Sequence, residues 1–64
     1  MQNNINEIRK TLNLSQEDLA NKTGVSRQTI NSIENGKFDP SLSLLFKLIK
    51  VLGKNLDEIF IDNG

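Results

Sequence analysis

The chain has 64 residues, eight of them basic and eight acidic, and it contains no cysteine, histidine, tryptophan or tyrosine. So short a chain is expected to form one domain, residues 1–64, that buries only about 60% of the surface its unfolded form exposes. The missing residue types exclude a disulfide framework, a Cys/His metal site and the commonest general base. With no phosphate-cradling glycine loop either, the reading is of a protein that is not an enzyme and needs no cofactor or metal.

Apolar runs of a few residues do not span a membrane, and Met1 to Asn4 is not a secretory start, so a cytoplasmic location is expected. Zero net charge argues against a strong non-specific nucleic-acid binder. It does not exclude a specific one, because the charges are unevenly placed. Lys22, Arg27 and Lys37 lie in the middle, whereas Asp57, Glu58 and Asp62 face a single Lys54 near the end.

Asn4 to Leu12 reads as a first helix. Asn4 and Glu7 have capping-box spacing, Ile5, Ile8 and Leu12 recur at helical spacing as core residues, and Arg9 and Lys10 complement the dipole at its end. Asn13 breaks the pattern, and Leu14 precedes the next cap as a hydrophobic staple. Ser15 with Asp18 caps a second helix from Gln16 to Lys22. Thr23 to Val25 is a turn, with Gly24 where a left-handed backbone is needed. Ser26 caps a third helix from Arg27 to Asn35, and Ala20 is small where these two helices cross. Two short helices joined by a turn containing glycine form a helix-turn-helix unit, residues 16–35.

The third helix has two faces. Thr29, Ile30 and Ile33 cover one; Arg27, Gln28, Asn31, Ser32 and Asn35 cover the other. The polar arc has no acid and offers a guanidinium, amides and a hydroxyl, the groups that read base edges in a major groove. A solvated face would look the same on this helix alone; the turn, the small residue and the acid-free arc together point to DNA. Gln16, in the first turn of the second helix, can donate to a phosphate and brace a side chain of the reading helix, or can simply face solvent. Ser26 leaves free N–H groups at residues 27 to 29 as a partly positive end for the DNA backbone. Lys37 is a phosphate candidate, and a solvated lysine is the alternative.

Gly36 follows the third helix as a left-handed cap, Phe38 is expected in the core, and Asp39-Pro40 is a stop. Ser41 caps a fourth helix, Leu42 to Leu52, whose inward stripe is read as Leu42, Leu45, Leu48, Ile49 and Leu52. Leu44, Phe46 and Val51 carry apolar surface round much of it, more than one small core needs, which suggests a second buried surface. Asn55 with Glu58 opens a short fifth helix containing Leu56, Ile59 and Phe60. Whether Phe60 to Asp62 continues as helix or runs extended is left open by the periodicity.

The segments LSQEDLA, GVSRQTINSIENGK and PSL, in this order, resemble the Cro/C1-type repressor family, also called the Xre family, from about Ile5 to Phe60. The resemblance implies an all-α fold, a five-helix lambda-repressor-like DNA-binding domain. It places Gln16 between phosphate and reading helix, Arg27, Gln28, Asn31 and Ser32 at the bases, and Asn35 and Lys37 at the backbone. It also implies a structural ion pair between Arg9 and Glu34. The apolar SLLFKLIKVL departs from the alanine-rich fourth helix of many members, which bears on packing and the dimer surface.

The expected function is a repressor that binds double-stranded DNA as a homodimer on a pseudopalindromic operator. Phe46, Leu56, Ile59, Phe60 and Ile61 are expected at the dimer interface, with a short tail strand near Phe60 to Asp62 beside Gln2 to Asn4. The alternative is a protein-interaction module on the same fold, such as an antitoxin or co-regulator.

Overall fold

The computed structural model describes residues 1–61. The order of elements is α1 (Ile5–Thr11), α2 (Gln16–Thr23), α3 (Arg27–Glu34), α4 (Leu42–Leu52) and α5 (Leu56–Ile59). Local chemistry places most of the helix starts. Ser15 Oγ accepts from the Asp18 amide at 2.9 Å while Asp18 Oδ2 accepts from the Ser15 amide at 3.0 Å, a closed capping box. Ser26 Oγ accepts from Thr29 N at 3.1 Å, and Ser41 Oγ from Leu44 N at 3.2 Å. At α5 the Asn55 amide donates to Glu58 Oε1 at 3.1 Å.

The start of α1 differs from the sequence reading. Asn4 is its N-cap residue but makes no side-chain cap bond. Asn3 Oδ1 instead accepts from the Ile5 amide at 3.2 Å, and Asn4 Nδ2 reaches across to the Glu58 carbonyl at 3.1 Å. The reason is tertiary. The N-terminal segment is paired with the chain's other end, where Asn4 N donates to Ile59 O at 2.7 Å and Ile61 N to Gln2 O at 2.9 Å. Phe60 is extended and forms an isolated antiparallel bridge with Asn3. This pairing is within one chain and, among the described residues, is not lengthened into a strand; Asp62 lies outside them.

α2 packs against both α3 and α4. Leu19, Ile30, Ile33, Leu48 and Ile59 form the centre of the core, fully buried, and Ala20 of α2 belongs to the same cluster. The face of α4 that enters this core is Leu44, Leu48 and Leu52, one residue per turn. Leu42, expected inside, is 67% exposed. Leu48 and Leu52 of the expected stripe are buried and Leu45 and Ile49 pack half-buried against the core, while Ser43, Lys47 and Lys50 mark the outward side. Packing in the tertiary structure turns the buried face from Leu42 toward Leu44. Leu12 and Phe38, also expected in the core, lie at the surface, 45% and 51% exposed. Leu12 is the C-cap of α1, past the last full turn that faces the core.

Five positions were expected at a dimer interface. Two of them, Ile59 and Phe60, are buried in the protomer's own core, because α5 is a single turn that must turn Ile59 inward and hand Phe60 to the bridge. Phe46, Leu56 and Ile61 are exposed.

Candidate nucleic-acid interface

The turn between α2 and α3 is set by Gly24, whose φ of 75° lies where a side chain would be strained. Val25 N bonds back to Ala20 O at 3.1 Å, and the buried Thr23 hydroxyl donates to Leu19 O at 2.7 Å, so the end of α2 is satisfied internally. α3 then leaves with Ile30 and Ile33 in the core. Its opposite side presents Arg27, Gln28, Asn31 and Asn35 to solvent, with Ser32 half-buried at the edge. Among the described residues, the side chains of Arg27, Gln28 and Lys37 have no hydrogen-bond or ion-pair partner. They are polar groups that no described residue engages.

Behind this face lies a buried ionic cluster. Arg9 Nε donates to Glu34 Oε2 at 2.9 Å, and the two side chains are 9% and 5% exposed. Arg9 Nη2 also reaches Glu34 Oε1 at 3.4 Å, and Nη1 donates to the Leu14 carbonyl at 2.8 Å. Asn6 Nδ2 and Gln16 Nε2 donate to Glu34 Oε1 at 3.0 Å and 3.2 Å. Burial works to raise the Glu34 pKa, but the bonds from Arg9, Asn6 and Gln16, with the Arg9 charge, hold it below its ordinary value. The only acid of α3 is thereby turned inward and neutralised, away from the polar arc.

Gln16 is the joint between this cluster and the arc. Its amide nitrogen donates to Asn31 Oδ1 at 3.2 Å as well as to Glu34. A carboxylate accepts only, which fixes which end of the amide faces it. Both N–H groups of Gln16 are thus used, so a phosphate contact through this amide would replace one of these bonds. Asp18 is folded back on Ser15, whose backbone and hydroxyl hydrogen bonds lower its pKa.

Sequence reasoning missed three contributors. Asn6 lies one turn before Arg9 on α1, a spacing that does predict a shared face. Asn3 Nδ2 donates to Ile33 O at 2.8 Å and so caps the far end of α3 from the N-terminal segment, for which no local signal exists. Phe38 stands beside the arc rather than beneath it: with Ser26, Gln28, Thr29, Ser32 and Lys37 it lines a groove of about 390 Å³.

The sequence model of the helix-turn-helix family matches residues 5–59. The chain belongs to the helix-turn-helix family. The chain is 56% identical over 61 residues to an uncharacterized helix-turn-helix-type transcriptional regulator of Methanocaldococcus jannaschii, an alignment that spans 95% of this chain and 92% of the relative. With the regulator PuuR of Escherichia coli it shares 41% identity over 56 residues, 88% of this chain but 30% of that longer protein. Among solved structures, the restriction-modification controller protein C.AhdI from Aeromonas hydrophila superposes with a TM-score of 0.78 at 34% identity, covering 88% of this chain and 85% of that one. As a helix-turn-helix protein the chain is a DNA-binding transcriptional regulator, and α2–turn–α3 is its defining unit. No helix among the described residues is long and apolar enough to cross a membrane.

Proposed function

We propose that this regulator is a cytoplasmic, sequence-specific repressor that acts as a homodimer on a pseudopalindromic operator, reading bases with Arg27, Gln28, Asn31 and Ser32. The observation that carries this reading is the contrast between the two sides of α3. One side is locked by Ile30, Ile33 and the Glu34 cluster, while the other holds out unpartnered Arg27 and Gln28 on a rigid helix. Arginine can bond guanine and glutamine adenine through two bonds each, worth about 1–3 kcal/mol of discrimination apiece. Gln16 sets the rotamer of Asn31 and so reads indirectly. Ser26, Asn35 and Lys37 flank the arc and suit phosphates.

One such unit reads only a few base pairs. Two related by a twofold axis would reach half-sites about 34 Å apart. Phe46, Leu56 and Ile61 supply exposed apolar surface for such pairing. Leu56 also lines an open apolar groove of about 790 Å³ whose other walls include Pro40, Leu45 and Phe60. Repression would follow from steric occlusion of a promoter.

The test is a titration of the purified protein against DNA fragments from around its own gene at two salt concentrations, with an Arg27→Ala/Gln28→Ala variant alongside. Tight binding to one fragment, weakened by salt and lost by at least tenfold in the folded variant, is the expected result. Binding indifferent to the variant would remove these residues from the reading face. No binding to any fragment would transfer the role to a protein partner.

A further inference from the structure

The groove between α3 and the loop that follows it has an apolar wall with no part in the core. Gly36, at a φ of 73°, reverses the chain at the end of α3. Gly36 N then bonds to Ile33 O and Lys37 N to Ser32 O, each at 3.0 Å, so the loop folds back along the last turn of the helix. Lys37 and Phe38 consequently return alongside Gln28, Thr29 and Ser32. Phe38 is 51% exposed there, an aromatic residue beside the base-facing arc. Two hydroxyls of the groove, Ser26 and Thr29, bond to each other at 2.9 Å and are spent on the helix cap. The ring, the stems of Gln28 and Lys37 and the small Ser32 remain as a slot with one polar end.

Among the groups that base pairs present in the major groove, the thymine methyl is the apolar one. We propose that Phe38 is a specificity-determining residue, packing on the 5-methyl group of a thymine next to the base read by Gln28. This rests on the DNA-reading role of α3 proposed above and adds a position that the polar arc does not cover. Lys37, one residue earlier and without a partner among the described residues, would hold the adjacent phosphate and so place the ring over the base edge.

The probe is a duplex selected by the wild-type protein from a randomised pool, resynthesised with each thymine in turn replaced by deoxyuridine, which removes the methyl and nothing else. The wild type is expected to lose about fourfold in affinity at one such position in a half-site, the effect of exposing one buried methyl. Phe38→Ala should bind the thymine and uracil duplexes equally, and Phe38→Leu should keep part of the difference. Because Phe38 is outside the core, all three proteins should unfold at similar temperatures. A wild type indifferent to every replacement overturns the proposal. So does a Phe38→Ala protein that still loses the same factor at the sensitive thymine, since the methyl is then read elsewhere. Uniform weakening of Phe38→Ala with no methyl effect would place the ring on a deoxyribose instead. A wild type that selects no duplex fails at the DNA-reading role itself. One that selects a duplex through Arg27 and Gln28 but ignores the methyls fails only at Phe38.

Discussion

Glu34 shows how a single charge can serve a polar surface without appearing on it. Left unpaired, a carboxylate near the arc would repel phosphate; enclosed by Arg9, Asn6 and Gln16, it anchors the side chains that shape the arc. Its pKa is lowered in the folded protein, which fixes the sign of the pH dependence. The stabilisation is fully present above the unfolded carboxylate range, near pH 4.3, and is lost as pH falls through the lower folded value. Thermal unfolding followed from pH 7 downward should therefore hold nearly level to about pH 5 and then decline. Glu34→Gln should flatten part of that acid limb. At neutral pH it should cost about 3 kcal/mol, because Arg9 is left buried without its counter-charge. A variant as stable as the wild type at pH 7 would mean that the pair only orients its neighbours. The resemblance to known repressors implied this pair, but Asn6 and the double role of Gln16 depend on where α1 lies across α3, and no spacing along the chain states that.

At the scale of elements, what was legible is what is local. Ser15, Ser26 and Ser41 each bond to an amide three residues on, so these caps could be read from a few neighbouring letters. The asparagine at the head of α1 misled for the opposite reason. Both Asn3 and Asn4 can cap, and the choice was made by the C-terminal segment that holds Asn4. In α4 the exposed Ser43, Lys47 and Lys50 set the phase to within part of a turn, so Leu48 and Leu52 were legible, and tertiary packing shifted the rest of the face from Leu42 to Leu44. Ala20, on the helix that packs against α3 and α4, is 2% exposed. Ala20→Leu is expected to destabilise by about 1–3 kcal/mol through overpacking, measured as a lower urea midpoint with an unchanged slope. An unchanged midpoint would show that the helices can separate without loss.

For the whole molecule, the apolar surface left outside the core bears on assembly. Phe46, within α4, is 63% exposed and Leu56, at the start of α5, 46%. If a homodimer covers Leu56, Leu56→Lys should raise its dissociation constant at least tenfold in sedimentation equilibrium while the helix content stays the same. Weakened operator binding at low protein concentration should accompany it. A dimer untouched by Leu56→Lys would direct attention to the Phe46 side of α4.

Composition and local pattern by themselves determined that the chain makes short helices with a glycine turn between the second and third. They also determined that the outward face of the third is polar and free of acid, because caps, turns and periodicity act between residues a few positions apart. Tertiary structure alone decided which of two asparagines caps α1 and that Leu44 rather than Leu42 completes the buried face of α4. It also put Ile59 and Phe60 in the core and brought Phe38 out beside Gln28. Each of those depends on contacts between segments far apart in the chain, where apolar surface goes to whichever neighbour can cover it.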